Sequence, residues 1–317
     1  MSRARARGSA VAAVALVWIL DPRAAHAQAW VSDLGDGTIA VSAQYVRVMK
    51  HLFSVDVGGQ VDPGTGYLLG PGNQGYFGDI TEYSTSVSGE YVPVKHFAVT
   101  ADLMHVVARY RGLSPESVFD NGDFHGDLQD MGLGARYMVR RGILVVTPSV
   151  DVRFPLTNYN VIGHSAAGTG LKAATIGLNT GLSLESLVRS GYAFANYART
   201  ITENVDGYSL DHNMVTAGGG LFLTGLLSMQ AQFQYLDTTD GIDWWWADPG
   251  NHLHHQTVAA KALYRRLGAS AGYSVGKRYS LALSWESTLS GANVHATHSL
   301  TLGASCSFWK HRTYQAE

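Results

Sequence analysis

The sequence is short of charge, cysteine and proline, and each shortage excludes a class of protein. Charged residues make up 15% of the 317 residues, against about 25% in an average soluble domain. The single cysteine, Cys306, excludes a disulfide-rich scaffold and a multi-cysteine zinc site. With 8 prolines and a mixed sequence, the chain is neither collagen-like nor of low complexity. Its net charge of −2 shows no basic excess, so no nucleic acid is expected as a partner.

The chain also lacks an apolar run of about 20 residues, the length that a membrane-spanning helix needs. The apolar stretch at 10–20 follows Arg3, Arg5 and Arg7 and is followed by the small-x-small tripeptide at 25–27. These are the three parts of a secretory signal peptide. We therefore expect residues 1–27 to be a cleaved export signal, 28–309 the mature domain and 310–317 a short periplasmic tail.

What the chain does contain is alternation of apolar with polar or small side chains. It is clearest at 82–91, 144–154, 227–235 and 299–308. Alternation with a period of two indicates strands, whereas a helix would place apolar residues three and four apart. Inside a bilayer only helices and closed barrels satisfy all backbone hydrogen-bonding groups. An exported chain of such segments is therefore typical of a membrane β-barrel, with a secreted soluble β-protein as the alternative.

The spacing of the strands gives a second signal. Long gaps at 50–77, 111–126, 156–170, 203–212, 238–252 and 289–297 alternate with short ones, as expected for long extracellular loops and tight periplasmic turns. We predict an all-β fold, a transmembrane antiparallel β-barrel of about 12 strands and of the outer-membrane type. The predicted strands are 37–49, 78–92, 96–110, 127–139, 143–155, 171–184, 190–202, 213–224, 226–237, 253–264, 279–288 and 298–309, and the segment 265–275 could continue the tenth of them.

The same alternation predicts which charges face the lumen. Charges of both signs on a polar wall could select among solutes, or they could pair across the lumen and simply fill it. Both interpretations stay open. The candidate lumen-lining residues are Glu82, Glu90, Asp102, Asp130, Arg136, Asp151, Arg153, Lys172 and Lys261.

A loop and a motif outside this pattern have alternative interpretations. Trp244, Trp245 and Trp246, in the long gap at 238–252, could form an aromatic platform for a ligand or a membrane-interface anchor. The segment 268–272 matches G-x-S-x-G, but it lacks the strand–turn–helix context in which that motif carries a nucleophile. No catalytic residue, cofactor or metal site is predicted, so the chain is not expected to be an enzyme.

Several short Gly-containing motifs form a recognisable pattern: Gly126-Asp127-Leu128, Gly132-Leu133-Gly134-Ala135-Arg136-Tyr137, Thr147-Pro148, Phe154-Pro155 and Thr288-Leu289-Ser290-Gly291-Ala292-Asn293. Together they resemble the family of outer-membrane transporters associated with phenol meta-cleavage pathways, over roughly residues 78–309. The resemblance implies a barrel that moves small, often aromatic or apolar, compounds. It implies a transport class and no particular ligand.

The first functional hypothesis is thus passive movement of small molecules, with aromatic or apolar ones included, through an outer-membrane channel. The expected partners are the outer-membrane lipid bilayer, a small-molecule solute and the barrel assembly machinery of the Gram-negative cell envelope. The alternative is a surface protein that does not transport, in which the long loops at 50–77 and 238–252 bind a partner and the barrel only anchors them. A membrane enzyme is the third and least supported hypothesis.

Overall fold

The computed structural model describes residues 29–54, 74–75, 78–112, 119–161, 163–188, 190–204, 207–241 and 260–308. The expected signal peptide, the expected tail and the three consecutive tryptophans Trp244, Trp245 and Trp246 lie outside these residues. In the described part of the chain, no helix is long and apolar enough to cross a bilayer.

The described chain forms one closed antiparallel β-sheet. Thirteen strands hydrogen-bond in chain order apart from β2, a two-residue strand that pairs with the end of β1, and β13 pairs back onto β1. Leaving out β2, twelve long strands form the barrel wall, which confirms the predicted fold class. The strands are β1 (Gly37–Leu52), β2 (Gln74–Gly75), β3 (Gly78–Val94), β4 (Phe97–Gly112), β5 (His125–Tyr137), β6 (Leu144–Pro155), β7 (Ala173–Ser183), β8 (Gly191–Thr202), β9 (His212–Phe222), β10 (Leu227–Thr238), β11 (Leu263–Val275), β12 (Tyr279–Ala292) and β13 (Val294–Phe308).

The outer face of the wall is apolar. Val87 on β3 is 52% exposed and Ile176 on β7 is 62% exposed, whereas the neighbouring Ser86 and Ser88 point inward. Because successive side chains of a strand point to opposite faces, the strands place mostly apolar residues outside and polar or small ones inside, with exceptions such as Val106 and Tyr110, which are buried inside toward the loop end of β4. A band of exposed apolar residues around the whole barrel is stable only against lipid.

Aromatic side chains mark both edges of this band. Tyr45 and Tyr83 pack together with ring centroids 5.5 Å apart, and Tyr91, Tyr137 and Phe308 lie near the other end of their strands. The eight residue steps from Tyr83 to Tyr91, at about 3.3 Å per step and a tilt of about 40°, span roughly 20 Å. That height is close to the apolar band of an outer-membrane barrel, and rings at its edges suit the bilayer interface.

The two rims of the barrel differ. We call the rim that carries both strand termini Gly37 and Phe308, and the connections 95–96, 138–143, 184–190, 223–226 and 276–278, the turn end. The opposite rim, with the connections 53–77, 113–124, 156–172, 203–211, 239–262 and residue 293, is the loop end. The predicted alternation of short and long gaps is confirmed for all but the last loop-end connection.

Two predictions of strand position differ from the structure. The tenth strand was expected at 253–264, with 265–275 as a less certain continuation, whereas β11 runs from Leu263 to Val275 and residues 253–259 lie outside the described part of the chain. The small residues at 268–272 weaken the alternation of β11. The expected loop at 289–297 was wrong: it is a hairpin closed by Asn293, whose φ of 52° is a left-handed conformation that Asn tolerates. The strands of this hairpin, β12 and β13, extend beyond the apolar band at the loop end, where an outward side chain need not be apolar and the alternation weakens.

Candidate solute pathway

The barrel encloses a cavity of about 840 Å³. Most of its polar lining is uncharged, because the inward positions of β7 to β13 carry hydroxyl and amide side chains. On β10 these are Gln230, Gln232 and Gln234; Gln230 accepts a hydrogen bond from the Tyr192 hydroxyl at 2.9 Å and donates one to Gln232 at 3.3 Å. Other members of this wall are Asn179, Asn196, Thr216, Ser270, Ser284 and Thr301.

The opposite wall, formed by β3 to β6, carries paired charges. The Arg136 guanidinium binds the Glu90 carboxylate, and Arg153 lies 3.1 Å from one Asp102 carboxylate oxygen and 3.3 Å from the other. These four residues were predicted to face the lumen, and the structure brings them together as two ion pairs, each of which joins strands two apart in the sheet, β3 with β5 and β4 with β6. Each pair neutralises itself, so the pairs alone give the wall little net charge.

Glycines on β5 make room for two of the carboxylates. A Cβ on Gly132 would collide with the Asp102 carboxylate, and a Cβ on Gly134 would collide with Asp151 and lie 2.5 Å from the Thr100 hydroxyl oxygen. The register pairs Gly132 with Asp102 and Gly134 with Asp151, so each carboxylate folds over the glycine opposite it. The glycines of the middle motif therefore hold two lumen carboxylates against the wall.

The remaining predicted lumen residues fall into two groups. Glu82 on β3 and Asp130 on β5 face inward nearer the loop end, where Asp130 accepts a hydrogen bond from the Tyr159 hydroxyl. Lys172 and Lys261, in contrast, were expected on the inner wall but lie outside the strands and are exposed. The Lys172 ammonium is 3.7 Å from the Glu203 carboxylate at the loop end. Their placement inward was wrong because the strands were drawn too far into the loops.

One inward ion pair was missed. Arg266 on β11 and Glu286 on β12 face each other across the strand pair, with 3.7 Å between guanidinium and carboxylate. The misplaced tenth strand left Arg266 outside any confident strand, so its direction was not assigned. The doublet Arg265-Arg266 also hides the alternation, because Arg265 points outward over the Tyr235 ring at 5.8 Å.

The turn end of the lumen is covered by the segment that precedes β1. Trp30 packs against Gly181 on β7 and edge-on against Tyr192 on β8 at 6.0 Å, and the Ala29 carbonyl accepts a hydrogen bond from Thr147 on β6. Since β6, β7 and β8 lie on the far side of the closed sheet from β1, this segment crosses the mouth. Around it lie the buried side chains of Ala29, Val31, Val92, Ala98, Met138 and Val145.

The loop end is covered by the connection between β6 and β7. Its His164 stacks on Tyr110 of β4 at 4.2 Å and packs against His51 of β1 at 5.3 Å. The ring of His295 on β13 is 6.5 Å from that of His164 and 4.6 Å from that of His51. β4 is close to β6 in the sheet, but β1 and β13 are on the opposite side of the barrel from β6 and β7, so this connection crosses the loop-end mouth.

A buried carboxylate holds this connection in place. Asp120 accepts hydrogen bonds from the backbone and ring of His164 at 2.8 and 2.9 Å and from the backbone and hydroxyl of Ser165 at 3.1 and 2.7 Å. Burial alone raises the pKa of Asp120, but the hydrogen bonds from His164 and Ser165 and the nearby His164 ring outweigh it and hold that pKa well below its usual range. Tyr159 lies in the same connection. Burial and its hydrogen bond to Asp130 raise the pKa of Tyr159 above its usual value, so its hydroxyl remains a donor.

Neither a nucleophile elbow nor a metal-binding cluster is found among the described residues. The G-x-S-x-G segment lies within β11 with Ser270 on the lumen wall, a flat strand and not an elbow. The described residues contain no group of three His, Cys, Asp or Glu side chains placed to hold a metal ion.

The fold and the lumen together define the class: a closed, twelve-stranded β-barrel of the outer-membrane type with a polar interior. No protein-family model and no curated protein sequence matches the chain. Among solved structures, an outer-membrane channel from Pseudomonas putida F1 has a TM-score of 0.64 and 11% identity, over 91% of this chain and 100% of that one. The β-domain of a Bordetella autotransporter has a TM-score of 0.50 and 13% identity, over 86% of this chain and 100% of that one. At such identities these similarities establish the fold alone.

Proposed function

We propose that the protein is an outer-membrane channel that moves small molecules passively through the barrel. The observation that carries this proposal is a cavity of about 840 Å³ inside an apolar-coated barrel, lined by hydroxyl, amide and charged side chains interspersed with small and apolar residues. A barrel that served only as an anchor would have no need for a solvent-sized polar cavity, because small barrels fill their interior with side chains.

The lining also bears on the kind of solute. Amide and hydroxyl groups such as those of Gln230, Gln232 and Asn196 lose hydrogen bonds to water when an apolar solute displaces it. Hydrophilic solutes replace those bonds and are favoured along the amide and hydroxyl positions. The same cavity also exposes apolar surface, from residues such as Phe194 and Met214, so the lining does not select against the aromatic or apolar compounds that the family resemblance implied. The similarity of the fold to a channel from Pseudomonas putida F1 is consistent with a channel and names no substrate.

Placement in the cell is part of the proposal. With the turn end toward the periplasm, the export signal at 1–27 and insertion by the barrel assembly machinery would bring the chain to the outer membrane, and residues 310–317 would be a periplasmic tail. This orientation places both ends of the barrel wall, Gly37 and Phe308, on the side from which such barrels are inserted. Mass spectrometry of the mature protein tests the cleavage after Ala27, and an uncleaved N-terminus would contradict it.

Reconstitution into planar lipid bilayers tests the proposal directly. We expect discrete ion conductance from the wild-type protein and larger conductance from Trp30→Ala, in which the ring that crosses the turn-end mouth is removed. Absence of current from both proteins, together with no flux of small sugars into liposomes, would rule out a channel.

The alternative of a surface protein that binds a partner depends on the loops at 50–77 and 238–252, most of which lie outside the described residues. Shortening both loops separates the two functions. A channel keeps or increases its conductance, whereas a partner-binding protein loses its function and never shows flux.

A further inference from the structure

The charges that line the cavity are unequal in number. Among the described lining residues, Asp102, Asp151 and Glu286 contribute carboxylates and Arg153 contributes the one guanidinium. The rest of the polar lining is neutral. The cavity therefore has an excess of negative charge although the whole chain is nearly balanced, at −2.

When each lining carboxylate is matched with its ion-pair partner, one carboxylate has no partner among the described residues. Arg153 holds Asp102 with two contacts at 3.1 and 3.3 Å, and Arg266, behind the lining, balances Glu286 at 3.7 Å. Asp151 lies next to the first pair but has no ion pair or hydrogen bond to its carboxylate within the described part of the chain. Arg153 and Arg136 attract it from a distance, Asp102 repels it, and both arginines already bind other carboxylates.

Two further carboxylates lie nearer the loop end, outside the lining of the cavity. Glu82 on β3 faces inward and forms no ion pair with any described residue, and Asp130 is buried and takes its hydrogen bond from the neutral hydroxyl of Tyr159. They add to the negative field from within the wall, and Asp151 remains the unpaired carboxylate that borders the path. A path lined by one sign of charge with low-dielectric walls concentrates counter-ions along its length.

We propose that the channel is selective for cations, that small hydrophilic cations are the solute class it favours, and that Asp151 is the residue that contributes most to this selectivity. The inference rests on the proposed channel function and adds the sign of the charge that it prefers. Because Gly134 leaves room for the Asp151 carboxylate against the wall, the charge borders the path without blocking it. Solutes can then pass close to an uncompensated charge, as they do at the charged rings of other pores.

The reversal potential in a tenfold gradient of KCl tests the proposal. We expect the wild-type channel to favour K⁺ over Cl⁻ by roughly three- to tenfold, at the lower end of the enrichment that charged clefts produce. Asp151→Asn should lower this permeability ratio by half or more, and Asp151→Glu should restore most of it. Asp123→Asn is the matched control, since it removes an exposed carboxylate at the loop end and should leave the ratio unchanged.

A second measurement uses organic solutes. Liposome swelling should be faster with arginine as the chloride salt than with glutamate as the potassium salt, and Asp151→Asn should reduce the difference. Current that is unselective or favours Cl⁻, or a ratio that Asp151→Asn leaves unchanged, would overturn the inference while leaving the channel in place. No current from either the wild type or Trp30→Ala would instead refute the channel itself, and the inference with it.

Discussion

At the scale of single residues, the inner wall depends on small side chains as much as on charged ones. Gly132 and Gly134 face the lumen, and the carboxylates of Asp102 and Asp151 occupy the space where their Cβ atoms would be. Packed interiors tolerate added atoms poorly because the neighbours must leave their preferred rotamers. At Gly134 the neighbours are a carboxylate and the Thr100 hydroxyl, both on adjacent strands.

This packing predicts that Gly134→Ala destabilises the barrel. The added methyl group displaces Asp151 and Thr100, and we expect a loss of about 1–3 kcal/mol in the free energy of unfolding. Urea unfolding in detergent micelles, followed by tryptophan fluorescence, measures it. Gly303→Ala is the control, since Gly303 also lines the lumen but its nearest neighbour, the Val41 carbonyl oxygen, is 3.8 Å from the added Cβ. Equal effects of the two substitutions would contradict this account.

At the scale of elements, two segments outside the strands decide whether the lumen is open. The segment before β1 crosses the turn end, and the connection 156–172 crosses the loop end. Both reach strands on the far side of the barrel through a few specific contacts, so a single substitution can loosen either one. Their stability is local and separate from that of the sheet.

At the turn end, Trp30→Ala should increase single-channel conductance severalfold. Trp30 is the large side chain in the mouth, held between Gly181 and Tyr192. Leu34→Ala is the matched control from the same segment, because Leu34 is 57% exposed and its loss should leave conductance unchanged. A similar increase in both variants would mean that the segment as a whole, and not the Trp30 ring, controls the opening.

At the loop end, Asp120→Asn should loosen the connection that carries His164. The charged hydrogen-bond acceptor is lost, and we expect opening to become easier by about 2 kcal/mol, or roughly 30-fold in amide exchange rate over 156–172. Hydrogen exchange read by mass spectrometry measures this. Asp123→Asn, at an exposed carboxylate nearby, should exchange as the wild type does.

The effect of Asp120 should depend on pH in a defined direction. Because the folded pKa of Asp120 is depressed, its contribution is complete above the ordinary pKa of about 3.9 and is lost as pH falls further toward the folded value. The ratio of exchange rates between Asp120→Asn and the wild type should therefore be largest near neutral pH and shrink below about pH 4. A ratio that grew with acid would show the opposite sign of coupling.

At the scale of the whole molecule, closure of the sheet is the dominant feature. β1 pairs with β13 along its length, with Gly37 opposite Phe308. The barrel therefore has no open edge. All backbone groups of the membrane band are then paired inside the sheet, which lipid requires. Opening the barrel means breaking a whole strand pair at once.

Closure predicts resistance to detergent. The unboiled protein should migrate faster in SDS gels than the boiled protein, because the closed sheet stays compact until heat breaks the β1–β13 pairing. Replacing Ala43 by Pro on β1 removes a ladder hydrogen bond between β1 and a neighbouring strand and should lower the temperature of the shift. Identical migration before and after boiling would count against a closed barrel.

The sequence by itself determined the barrel, its approximate strand number and the inward direction of Glu90, Asp102, Arg136, Asp151 and Arg153. It could do so because lipid outside and a polar lumen inside impose a two-residue period that needs no tertiary knowledge. Where strands rise beyond the bilayer that constraint ends, and there the hairpin at Asn293 and the positions of Lys172 and Lys261 were missed; the limits of β11 were missed because the small residues at 268–272 weaken its alternation. Only the tertiary structure decided which charges pair, that Asp151 has no partner among the described residues, and that Trp30 and His164 cover the two mouths, because these contacts join strands that are not neighbours in the sheet.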